Sequence, residues 1–250
     1  MMKMRLFIVL AVLAAGNGLW AQTPVISVEA PDWLVPLRDA VFEQRLNADQ
    51  IRPLYTAATA AARQRYSGTA LDLAISRSEF LMGKALQEEE RDGEARVHYS
   101  EGMRLAEQAL DAAPSSDAWL LRAMNLSQLC SLGPWTFTVA NGMNVERFAR
   151  HALDFNSRNA SAQYLIAARW VFAPSPFSNH RRGVQMMKDI LDNGDLGKDD
   201  LFNIYSAIGY GYVQQRRFDD ARPWLVKALE IYPTNQYAAD LLNQNRRRGG

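Results

Sequence analysis

The side chains able to do acid–base, nucleophilic or metal chemistry are few in this chain and scattered. Its three histidines, His98, His151 and His180, lie far apart, and Cys130 is the single cysteine. One thiol excludes an intrachain disulfide and a Cys-based zinc site. Three isolated imidazoles leave little material for a metal or catalytic cluster. Two carboxylate runs, Glu88-Glu89-Glu90 and Asp199-Asp200, have the residue type for paired acid–base work. That chemistry needs environments that push two carboxyl pKa values apart. These runs fall at a helix end and in a turn, where solvated charge is the expectation. His180 stands in Asn179-His180-Arg181-Arg182, read as a surface loop or a helix start. There is no Gly-rich phosphate loop, serine elbow or His-Glu-x-x-His. The sequence assigns no catalytic residue, no metal and no cofactor, and it points to binding.

The elements that would position a binding surface are helical. Alanine (35) and leucine (28) far outnumber valine (13) and isoleucine (9), a bias toward helix and away from strand. No alternating apolar–polar stretch long enough for a convincing strand follows residue 21. Met1–Ala21 has the layout of a secretory signal: Lys3 and Arg5, the apolar run Leu6–Ala15, a Gly16-Asn17-Gly18 break, then Ala21 before the cut. Its run is about half the ~20 residues that span a bilayer. An exported, periplasmic chain is expected, with no stable membrane span once the signal is removed. Formal charge is +1 for the whole chain and gives no drive toward nucleic acid.

Residues 22–32 read as an extended Pro-bearing segment, 33–246 as one helical domain and 247–250 as a disordered tail. Helices are predicted over 33–46, from Pro53 to Tyr66, from Thr69 (with Asp72 completing a capping box) to Glu90, and over 94–112. Helix ends then repeat: Ala109-Leu110-Asp111, Ala152-Leu153-Asp154 and Ala228-Leu229-Glu230. In the last unit, 202–235, Tyr205, Ile208, Gly209 and Tyr212 occupy one helix, and Ala221, Leu225 and Ala228 the next, with Pro233 as the stop.

Those eight positions resemble the tetratricopeptide repeat, a helix pair of about thirty-four residues. Three divergent units precede it, carried by Glu79, Met82, Gly83 and Leu86; by Trp119, Ala123 and Leu126; and by Tyr164, Ala167 and Val171. The resemblance implies an all-α fold, a right-handed superhelical stack of antiparallel helix pairs, closed at its ends by the helices at 33–66 and 235–246. It also implies a concave face lined by the first helix of each unit. Carried over, that face holds Arg77, Phe80, Lys84, Leu120, Met124, Gln128, Leu165, Arg169, Phe172, Asn203, Ser206, Tyr210 and Gln214. Arg169, Lys84 and Arg77 are its candidate anion anchors.

A partner protein or peptide along that face is the first expectation. A small organic anion or apolar ligand is the second, since elongated divergent pairs also resemble the accessory component of tripartite ATP-independent periplasmic transporters. The lipid-attachment cysteine of that group's lipoprotein members is missing here. Two aromatic connections, an insertion at 131–144 and a loop at 173–179, are read as covers for the groove, homo-oligomer contacts or plugs for gaps between irregular pairs.

Overall fold

The computed structural model describes residues 30–249 other than Pro174; the predicted leader and most of the extended segment lie outside them. Among these residues there are eleven helices and no strand: α1 (Val35–Glu43), α2 (Ala48–Arg65), α3 (Gly68–Glu88), α4 (Asp92–Ala112), α5 (Ser116–Leu132), α6 (Trp135–Phe155), α7 (Ala160–Phe172), α8 (His180–Asn193), α9 (Lys198–Gln214), α10 (Phe218–Ile231) and α11 (Gln236–Gly249). Short polar side chains start many of them by accepting otherwise unpaired backbone N–H groups. Ser115 accepts from Ala118, Asn159 from Ala162, Asn179 from Arg182 and Asn235 from Ala238.

Helix boundaries differ from the sequence expectation in several places, first in α1, which runs Val35–Glu43 rather than 33–46. α2 opens at Ala48, where Asn47 and Gln50 form a reciprocal capping box. Pro53 therefore lies inside it, losing one hydrogen bond on an exposed face. Ser67, with no side-chain cap, precedes α3, so the expected Thr69–Asp72 box is not used. The supposed insertion at 131–144 is helical almost throughout, with only Gly133 and Pro134 between α5 and α6. Pro134 and Trp135 are a helix start, since proline disfavours a helical residue before it and is tolerated at a helix's entrance. At the other end α11 continues to Gly249, past the predicted tail boundary.

Packing separates the helices into two layers. The odd-numbered ones approach one another in order, α3 with α5, α5 with α7, α7 with α9 and α9 with α11. Each even-numbered helix meets only its chain neighbours. Small residues permit the crossings: Ala109, Ala123, Ala152, Ala168, Ala221 and Ala228 are all buried. A Cβ at Gly209 would sit 2.4 Å from Leu225 Cδ2, a side-chain tip that can move. At Gly183 it would sit 2.5 Å from Val171 Cγ2 and 2.9 Å from Val171 N, against the backbone of α7. Gly183→Ala is therefore expected to cost about 1–3 kcal/mol in urea denaturation and Gly209→Ala less, because only the first must displace a helix. Equal losses would show that the α7–α8 crossing is looser than its geometry.

The first described helix meets the last helix connection. α1 does not simply lie on the first repeat as an end cap; it bridges to the other end of the stack. Its Phe42 ring, fully buried, stacks on Tyr232 at 5.1 Å and meets Phe202 edge-on at 5.7 Å. Asn235 Nδ2 donates to the Phe42 carbonyl at 2.8 Å, Thr234 Oγ1 to the Glu43 carbonyl at 2.7 Å, and Gln236 N to Gln44 Oε1 at 2.8 Å. Gln44 takes a left-handed conformation (φ 54°) that ends α1 and turns the chain into α2.

Candidate functional site

All thirteen side chains assigned to the concave face stand on odd-numbered helices, the inner layer. Phe80, Lys84, Leu120, Met124, Gln128, Leu165, Phe172, Asn203 and Ser206 are buried. Arg77, Arg169 and Tyr210 are half-buried, and Gln214 is exposed. The face is thus mostly interior rather than an open groove floor. Phe80 packs on Tyr99 and Phe172 on Tyr210, as core aromatics do. Two of the three anchors already hold anions from their surroundings: Arg77 donates to Asp117 Oδ2 at 2.7 Å, and Arg169 to Glu146 Oε2 at 2.7 Å. Glu146 also receives Arg150, and these arginines keep its carboxyl below the usual range despite the counteracting burial.

Lys84 is the anchor that stays inside. Only 1% of its side chain is exposed, its ammonium lies 5.5 Å above the Phe42 ring, and it pairs with Glu88 at 3.0 Å. Glu88 is exposed, as expected of its run, with 33% of its side chain open to solvent. Beyond it stands Tyr237 of α11, whose hydroxyl is enclosed without a hydrogen-bond partner. Burial, then the neighbouring Tyr164, Tyr210 and Glu88, raise the Tyr237 phenol well above its ordinary value. Asn203 Oδ1 and Ser206 Oγ on α9, and Asn245 Oδ1 on α11, are likewise buried and unpartnered. Buried polar atoms of this kind are uncommon, and a bound polar group is one of their explanations.

A cavity of about 440 Å³ opens at Glu88, walled by α1, the α1–α2 connection, the start of α2, the end of α3 and the start of α11. Its polar lining is Gln44, Arg45, Asn47, Glu88, Glu89 and Gln236. Such a volume falls within the range of small-molecule sites. Both signs of charge are present, Arg45 on one wall and Glu88 with Glu89 on another.

Asp199 and Asp200, read as solvated, are in fact buried at 5% and 0% exposure, in the first turn of α9. A helix N-terminus carries unpaired N–H groups and a positive dipole end, which lets carboxylates enter. Asp200 accepts from Gly197 N at 3.0 Å and Ser161 Oγ at 2.8 Å. Asp199 accepts from the Tyr232 hydroxyl at 2.7 Å and faces Arg38 at 3.3 Å. Burial pushes Asp199 up to about 6 and Asp200 to about 7, against those partners. Asp39 completes the network, bonded to Arg38 at 2.9 Å and Lys198 at 3.2 Å. These groups tie α1 to α9 and are spent on one another.

Among the described residues no three His, Cys, Asp or Glu side chains group as metal ligands. Glu79 bridges two neighbours, taking the Tyr55 hydroxyl and His98 Nδ1 at 2.6 Å each. Both of its oxygens are thereby used in joining α2 and α4 to α3. Burial raises the Cys130 thiol to about 11, so it is little ionised at neutral pH. No helix among the described residues is long and apolar enough to cross a membrane.

No family model matches the chain, and no curated protein matches it.

Sequence reasoning missed Tyr237, Glu88 and the α1–α2 connection. Tyr237 fell in a helix read as an end cap, and Glu88 in a run of three acids. Nothing in local spacing says that residues 44–47 and 236 come together. Arg38 alone offered a signal, as a charge on a short helix otherwise patterned for burial.

Proposed function

We propose that this chain is a non-enzymatic binding protein of tetratricopeptide-like architecture that holds a small zwitterionic molecule where its first described helix meets the last helix connection. The carrying observation is the cavity of about 440 Å³ lined by Arg45, Glu88 and Glu89, where Glu88 pairs with the buried Lys84. An amine end suits Glu88 and Glu89, and a carboxylate end suits Arg45. A polypeptide laid along the inner layer is less well supported, because nine of its thirteen assigned side chains have no exposed surface to offer. Export to the periplasm, and service to a transport system, fit a small-ligand carrier and remain part of this proposal.

Thermal melts of the chain from Gln22 onward, with amino acids, dicarboxylates and short peptides added separately, test it. A ligand that binds the folded state at a hundredfold excess over its Kd adds ~2.7 kcal/mol and raises the melting temperature by several degrees. Amino-acid-class compounds should do this, and Glu88→Gln should abolish the shift, measured against that variant's own ligand-free melt, which falls because Glu88 pairs with the buried Lys84. A shift given only by peptides, or one indifferent to Glu88→Gln, overturns the assignment.

A further inference from the structure

The first half of α6 carries an apolar ridge that no other element covers. Trp135, Val139 and Met143, spaced by four residues, are 55%, 60% and 64% exposed. No charged residue occurs between Trp135 and Val145. The opposite side of the same turns is well held: Thr138 Oγ1 donates to the Cys130 carbonyl at 2.7 Å, and Val145 is buried. The ridge is therefore a property of an ordered helix in the outer layer. One further step of four reaches Arg147, and Arg150 stands beside it, both exposed. At that end Glu146 takes both Arg150 and Arg169, so with Arg147 three arginines stand around one carboxylate.

We infer that this ridge is a docking surface for an anionic lipid bilayer. Charge decides among the occupants. A second copy related by symmetry would bring arginine against arginine, whereas anionic headgroups complement the excess, at roughly 1 kcal/mol per basic residue near the surface. Shape agrees. A projecting row of Trp, Val and Met, with arginines at one end, matches a helix lying in the interface, its apolar side ~5–10 Å deep among the acyl chains. Tryptophan prefers that boundary, and arginine keeps its charge at headgroup level while its stem stays apolar.

The packing described above is made among residues 30–249, so the chain from Gln22 onward is the object to test. It is sedimented with vesicles of phosphatidylglycerol and phosphatidylcholine in equal parts, and with vesicles of phosphatidylcholine alone. Binding is expected on the anionic vesicles, about tenfold weaker on the neutral ones, and weaker again with added salt. Trp135→Ser/Val139→Ser/Met143→Ser and Arg147→Glu/Arg150→Glu should each lower the partition about tenfold. Melting temperatures should hold for the apolar substitutions, which face solvent, and fall somewhat for Arg150→Glu, which breaks the pair with Glu146; Trp135→Ser alone keeps the test open should the triple variant fold poorly. The inference is overturned by wild-type chain that stays in the supernatant, including one that instead captures a protein through the ridge. It is equally overturned by binding that survives the apolar substitutions and follows charge alone.

Discussion

Phe42→Ala is expected to destabilise the protein by about 3–5 kcal/mol, the range for removing a fully buried phenylalanine. The ring touches more than its own helix. It stacks on Tyr232 and meets Phe202, and the Lys84 ammonium lies over it. Its loss leaves a hole between elements about 190 residues apart in sequence, where backbone cannot easily collapse inward. Urea denaturation measures the total. Hydrogen exchange locates it: protection should fall both in α1 and across Tyr232–Gln236. Phe148→Ala, a change of the same size at the α5–α6 contact, should leave the 232–236 amides protected. If Phe42→Ala loosens α1 alone, the bridge between α1 and the last helix connection does not hold them.

The second large effect is on pH dependence. Asp199 and Asp200 rise from 3.8 to about 6 and about 7 because burial disfavours their charge. Each therefore binds its proton more tightly folded than unfolded. The stabilisation from that binding is fully present below the unfolded value near pH 4 and is lost as pH rises through 6 and 7. The protein should gain stability, on the order of a few kcal/mol, as pH falls from 8 to 5. Groups of opposite sign set the limits. His180 is lowered by burial, so charging it costs stability toward pH 5. Asp39 and Glu146 are held low by their arginines, and their contribution goes only at stronger acidity.

Asp200→Asn separates these terms. Its amide oxygen can still accept from Gly197 N while the amide nitrogen donates to Ser161, so the variant should be more stable than wild type at pH 8, with a flatter profile. Asp199→Asn should gain less, because it weakens the electrostatic partnership of the buried Arg38. A wild-type profile that is flat or falls between pH 8 and 5 would show that the pair stays ionised in the fold.

Much of the architecture was legible because it is local. The eight positions of the last repeat specify a helix pair, and Ile208, Tyr212, Ala221, Leu225 and Ala228 are buried as that pair requires. Helix periodicity and caps report contacts within about one turn, and crossings report small residues at known spacing. The same logic put thirteen residues on the odd-numbered helices but could not say how far those helices are covered. Closure depends on α1, whose partners lie at the far end of the chain. Asp199 and Asp200 show the second limit: burial of an acid is set by what packs over it, here Arg38, Tyr232 and Ser161, none of them a neighbour in sequence. The α6 error was different in kind. Gly133, Pro134 and two aromatics resemble a loop by composition, yet only two residues of that stretch turn the chain.

A stack of helix pairs ordinarily frays from its ends, since a terminal unit has a neighbour on one side only and each repeat answers chiefly to the next. In this molecule the first helix and the last connection are each other's neighbour. Detaching α1, or unzipping past α11, must break the Phe42–Tyr232 stack and the bonds from Thr234, Asn235 and Gln236. Partial unfolding is thereby coupled to the whole, and the transition sharpens toward all-or-none. That coupling comes with long-range contacts that must be found late, so folding should be slower than for an open array of the same helices.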